Sequence, residues 1–165
     1  MSPSTAKRVV LYQFGRYPIE AIVNPAAYLL DTHIELLSPA GALQMVEYSE
    51  VKALCFFSEL LKTDLFQNHN LFERRPKVPG LWTRFTFRDS GKLDGILSHN
   101  LLEWPQPGYL VTPPRAGASR QRVFVPRAAL AATELLGVVG RSAVAEKDAR
   151  KRPGVPGEAQ LSIFD

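Results

Sequence analysis

The stretch "LWTRFTFRDSG" alternates apolar with polar residues over positions 81–91. A period of two is the signature of a half-buried strand. "RDSGK" then predicts a turn, because Asp, Ser and Gly accept turn dihedrals at little cost. "LDGILSHNLLEW" returns as a second strand, with Gly95 placed to let it bend. "GYLVTPP" is a third strand, stopped by Pro113 and Pro114, and "RAGASR" is a loop. "QRVFVP" predicts a fourth strand, "RAAL" a short turn and "ATELLGVVG" a fifth strand. The beginning of the chain runs through the same series: "RVVLYQFG", "PIEAIVNP", "HIELLSP", "LQMVEY", the turn "SEV", and "KALCFF". Five short strands with a tight helical turn before the last predict a small, strongly bent barrel, and here there are two.

The two series are an internal repeat. "IEAIVN" (19–24) and "LDGILS" (93–98) both read apolar, acidic, small, apolar, apolar, polar, at an offset of 74. The same offset lays "ELLSP" (35–39) on "YLVTP" (109–113) and brings "YQFG" (12–15) beside "FTFR" (85–88). After an insertion, "QMVEYSEVKALCFF" (44–57) falls on "VFVPRAALAATELL" (123–136). A repeat fixes architecture before any local detail does. The expected organisation is a first barrel over 7–57, a linker over 58–79, a second barrel over 80–140 and a tail over 141–165. Leu11, Ile22, Leu36, Val46 and Phe56 are expected to line one core. Phe85, Ile96, Leu110, Val123 and Leu135 are expected to line the other. The first half of the linker reads as a short helix. Leu65, Phe66, Leu71 and Phe72 in the linker are placed to pack across the seam.

The strand order of each unit resembles the Sm-like and SH3-like small barrels, which implies an all-β fold of two tandem barrels. The blocks "RPKVPGLW" (75–82), "TPP" (112–114) and "VPRAAL" (125–130) resemble those of an uncharacterised bacterial family, which implies no particular activity.

Composition narrows the chemistry. The chain has 165 residues, 45% apolar and 22% charged, enough for a sizeable core. Its 13 prolines favour short strands and turns over long helices. The single Cys55 sits among apolar neighbours in "KALCFF", so it reads as a core residue and excludes an internal disulfide. His33, His69 and His99 form no metal-ligand spacing and read as surface residues. "RDSGKLDG" (88–95) departs from the Arg-pair and Asp-x-Ser-x-x-Gly run of the PilZ domains, since Ser90 follows Asp89 directly; it reads as a hairpin turn. No phosphate-binding glycine loop or nucleophile elbow is present, and no cofactor or metal is expected. No apolar run approaches the roughly 20 residues that span a bilayer, so the expected location is the cytoplasm. A monomer or dimer is expected.

The net charge of +4 is small and spread out. Arg115, Arg120 and Arg122 in "RAGASRQR", with Arg74, Arg75 and Lys77 in "FERRPK", form the candidate contact to DNA or RNA phosphates. Beyond residue 140 the strand period dissolves into polar, Pro- and Gly-containing sequence, which predicts a disordered tether. It leads to "QLSIFD" (160–165), whose Gln160, Leu161, Ser162, Ile163 and Phe164 resemble the bacterial sliding-clamp binding motif, Gln-Leu-(Ser/Asp)-Leu-Phe. The resemblance implies that Gln160 occupies a polar subsite while Leu161, Ile163 and Phe164 fill an apolar groove on the DNA polymerase III β clamp. The expected function is therefore a non-enzymatic adaptor in replication or repair. The competing expectation is a tandem Sm-like nucleic-acid binder to which the tail is incidental.

Overall fold

The computed structural model describes residues 6–56, 65–66, 70–114 and 122–140. These carry ten strands: β1 (Lys7–Gln13), β2 (Ile19–Val23), β3 (His33–Leu37), β4 (Leu43–Glu47), β5 (Val51–Phe56), β6 (Gly80–Phe87), β7 (Lys92–Leu97), β8 (Gly108–Val111), β9 (Arg122–Pro126) and β10 (Leu130–Val139). The described helical elements are single 3-10 turns, Leu101–Glu103 and Arg127–Ala129. The fold is all-β. The helix expected in the first half of the linker lies outside the described residues.

The repeat extends to strand register. In the first half Val9 pairs with Ala21 and Leu11 with Ile19; in the second, Thr83 pairs with Gly95 and Phe85 with Leu93, each 74 positions on. The last strands correspond at an offset of 79. Leu11 faces Leu54 and Phe85 faces Thr133. Even the irregularity is copied: the register of β5 skips Lys52, and that of β10 skips Ala131, the equivalent position. A bulge increases local twist, so both halves bend at the same place.

One part of the sequence alignment is shifted by a residue. Leu36 pairs with Gln44 as Val111 pairs with Val123, so the third strands correspond at 75 and not at 74. In a strand, a slip of one residue moves every side chain to the other face. This is why Leu110, expected in the second core, packs against the first.

The halves do not form two separate closed barrels. β4-β3-β2-β1-β5-β9-β8 is one seven-stranded sheet, and β10-β6-β7 is a second sheet. The joint is β5 against β9, with Leu54 opposite Phe124 and Cys55 opposite Val123. β9 therefore leaves its own half and extends the sheet of the other. Its alternating side chains enter both cores: Phe124 joins Leu11, Leu36 and Leu54, while Val123 and Val125 join Phe85, Phe87 and Leu93. β1 and β5 divide their side chains in the same way, with Val9 and Leu11 on one face and Tyr12 on the other. Strands buried on both faces make the two cores one structure.

Most of the expected core residues are buried. Ile22 is only half-buried, and its neighbours Ala21 and Val23 are the core members. Leu135, expected inside, is 61% exposed, because it stands on the outer edge of β10. Cys55 is buried, as expected. The seam reading holds for Leu65, which is buried, and for Phe66, whose ring meets Tyr12 of β1 at 5.1 Å and Phe87 of β6 at 5.4 Å. Leu71 remains exposed. No described helix is long and apolar enough to cross a membrane.

Candidate functional site

Chemistry concentrates where the two halves meet and along the extended segment entering β6. Asp94 on β7 has no exposed surface. A buried carboxylate is costly unless it is paired and bonded. Arg84 on the adjacent strand grips it at both oxygens, Nε to Oδ1 at 2.7 Å and Nη2 to Oδ2 at 3.0 Å. Oδ2 also accepts from the Phe72 amide at 3.0 Å and from the Trp82 indole at 3.3 Å. The hydrogen bonds to Asp94 raise the Arg84 pKa, fixing its positive charge. The Asp94 amide donates to the Asn70 carbonyl at 2.7 Å. Asp94 is thus the clamp holding residues 70–72 against the second half. It appeared in the sequence only as the acidic position of a repeated strand.

A second polar contact crosses the joint. Lys52 on β5 donates to Asp89 in the β6–β7 turn at 2.8 Å. Its ammonium also lies 4.2 Å from the centre of the Phe66 ring. Burial would raise the Asp89 carboxyl, but hydrogen bonds from Lys52 and the Gly91 amide outweigh it and hold the pKa below the ordinary value. The turn is the predicted hairpin, with Ser90 at φ 72° and the Phe87 amide bonded to the Gly91 carbonyl at 2.8 Å. Arg88 beside it donates to the Ser49 carbonyl at 2.6 Å and lies over the Phe14 ring.

Three of the six expected phosphate-binding residues fall in two recesses. Arg74 and Arg75 are exposed and line a groove of about 240 Å³ with Phe72, Glu73 and Pro114. Arg75 is anchored there by donating to the Val138 carbonyl at 2.8 Å. Arg122 lines a second cleft of about 250 Å³ with His99, Glu103 and Trp104. Hydrogen bonds from Ser98 and Asn100 hold the Glu103 carboxyl below its ordinary range, and the Arg122 charge contributes. This acidic neighbour was not foreseen, and it partly offsets the charge that Arg122 offers a phosphate. Lys77 is exposed and lines neither recess. Arg115 and Arg120 lie outside the described residues, as do His69 and the motif residues Gln160, Leu161, Ser162, Ile163 and Phe164. His33 is half-buried, its Nδ1 2.8 Å from the Thr32 hydroxyl, and His99 is exposed. Among the described residues no group of three or more His, Cys, Asp or Glu side chains is placed to hold a metal ion.

An all-β chain of two register-matched units, interlocked through shared strands and carrying recesses lined by arginine and glutamate, is the class of protein that these features define. The chain belongs to a family of unknown function, DUF6982, whose model matches residues 5–137. The blocks "RPKVPGLW", "TPP" and "VPRAAL" all lie inside that stretch. Neither the curated proteins nor the solved structures contain a significant match.

Proposed function

We propose that this protein is a non-enzymatic adaptor that docks on the bacterial sliding clamp through "QLSIFD", with its all-β body as the platform that is brought there. The observation that carries this reading is the order of Gln160, Leu161, Ser162, Ile163 and Phe164, a polar anchor followed by spaced apolar side chains. The motif lies beyond the stretch 5–137 that the family model matches, so it adds to the body and is no part of the repeat. Between the two runs polar sequence with Pro and Gly, the composition of a tether. A peptide that orders on docking gives up conformational entropy, so the affinity is modest and resides in a few buried side chains. Leu161 and Phe164 are the anchors, since burying a large apolar side chain contributes about 1.5–3 kcal/mol.

A second reading, contact with nucleic acid, is favoured by one feature. Arg74 and Arg75 are exposed in a groove walled by Phe72 and Pro114, and Arg115 follows Pro114 directly. Guanidinium groups beside an aromatic ring suit a phosphate backbone and a stacked base.

One set of titrations separates the readings. A labelled peptide covering residues 156–165 is titrated with the clamp, and the full chain with both clamp and single-stranded DNA. The expected result is saturable clamp binding that Leu161→Ala with Phe164→Ala abolishes, with the melting temperature of the body unchanged. Absence of saturable binding at high micromolar clamp would overturn the adaptor reading. Salt-dependent DNA binding that survives the tail change and falls with Arg74→Ala and Arg75→Ala would favour the second reading.

A further inference from the structure

The internal joint between the halves has two unmatched equivalents. β5 and β9 pair antiparallel, with Leu54 opposite Phe124 and Phe56 opposite Arg122. By the repeat, β5 corresponds to β10 and β9 to β4, both at the offset of 79 established by the strand registers and the shared bulge. β10 and β4 are the outer strands of their sheets, and no described strand pairs with the far side of either. An exposed strand edge is a row of backbone donors and acceptors open to another chain. These two edges are the complementary halves of a joint that the molecule has already made once within itself.

The side chains match this. Carrying the internal register across sets Leu135 opposite Leu43 and Thr133 opposite Met45. Met45, 55% exposed, and Thr133, also exposed, take the places of Phe124 and Leu54, which are fully buried at the internal joint. Leu43 and Leu135, 60% and 61% exposed, set an apolar pair where the internal joint has the exposed Arg122 against the half-buried Phe56. The same register puts Glu134 opposite Gln44, so no like charges meet. Leu43 and Met45 also alternate correctly. Val46 on the other face of β4 belongs to its own core, as Val125 on β9 does. Met45 then points where Phe124 points, toward the neighbouring half. We propose that copies of this chain associate head to tail, β10 of one against β4 of the next, in the register of the internal β5–β9 joint.

Such an interface uses two different surfaces, so it propagates until a ring closes or a filament grows. It is independent of what the tail binds. Light scattering on the purified full chain tests it, with Leu43→Lys and Leu135→Lys made separately and then mixed. The wild type is expected at a multiple of 18.3 kDa. Each variant alone is expected at the mass of one chain, with an unchanged melting temperature. The equimolar mixture is expected at the mass of two chains, because each variant keeps the edge that the other has lost. Met45→Glu and Thr133→Lys serve in the same way if either first variant is unstable. The proposal is overturned by a monomeric wild type, by an assembly that either variant leaves intact, or by a mixture that stays monomeric. A monomeric full chain that assembles only when residues 141–165 are removed also overturns it, since the tail would then be the occupant of an edge.

Discussion

Asp94 and Glu20 occupy the same place in the repeat, each opposite the residue that precedes the central core position of the neighbouring strand: Val10 pairs with Glu20, and Arg84 with Asp94. Their fates differ. Glu20 is exposed, with Arg8 at 4.0 Å, an arrangement worth little in water. Asp94 is sealed by the segment 70–72 and needs Arg84 to be there at all. The acidic character of the position was legible in the sequence. Its burial was not, because the covering segment belongs to neither repeat and its path depends on tertiary contacts. The consequence is measurable. Arg84→Met strands a buried carboxylate and should cost about 3–5 kcal/mol in denaturant unfolding. Adding Asp94→Asn removes the charge and should recover part of that loss. A double variant as unstable as the sum of its parts would show that the pair is not coupled.

At the scale of elements, the period-two stretches and the turn residues located the ten strands, because local alternation and turn chemistry are properties of short segments. What they could not locate was face and partner. The third strands match in sequence at an offset of 74 and in space at 75, and the apolar pattern "YLV" fits both. Only the neighbouring strand settles which residues point inward. Gly95 makes the same point. Its place within a strand predicts a bend. The structure shows instead that β7 passes close to β8: a Cβ at Gly95 would come within 2.6 Å of the Val111 Cβ, where the first half tolerates Ala21. Gly95→Ala should therefore destabilise the chain by about 1–3 kcal/mol through overpacking, measured by chemical denaturation. Val111→Ala in the same background should relieve part of the cost. If Gly95→Ala is neutral or stabilising, the approach of the two strands is looser than the contact implies.

At the scale of the whole molecule, the repeat invited a picture of two barrels joined by a linker, and the mildly basic composition left the binding surface open. The repeat was legible because duplicated units keep their patterning. The interlock was not, because β9 carries apolar residues on both faces, and a sequence read unit by unit has no reason to send the two faces to different cores. This difference predicts how the molecule unfolds. Independent barrels would melt separately, and damage to one would leave the other intact. Here β1, β5 and β9 each supply residues to both cores. Lys52–Asp89 and Arg88–Ser49 add polar contacts across the joint. Calorimetry should therefore give one transition, with the calorimetric enthalpy equal to the van't Hoff enthalpy. Phe124→Ala is the discriminating change. Phe124 belongs to the second half by sequence, yet its ring lies in the first core within 6.2 Å of both Tyr28 and Tyr48. Truncating it should cost about 3–5 kcal/mol. In the interlocked structure, the single transition moves down as a unit. Two resolved transitions, with only one displaced by the substitution, would mean that the halves fold independently and that the β5–β9 joint is a contact between finished domains.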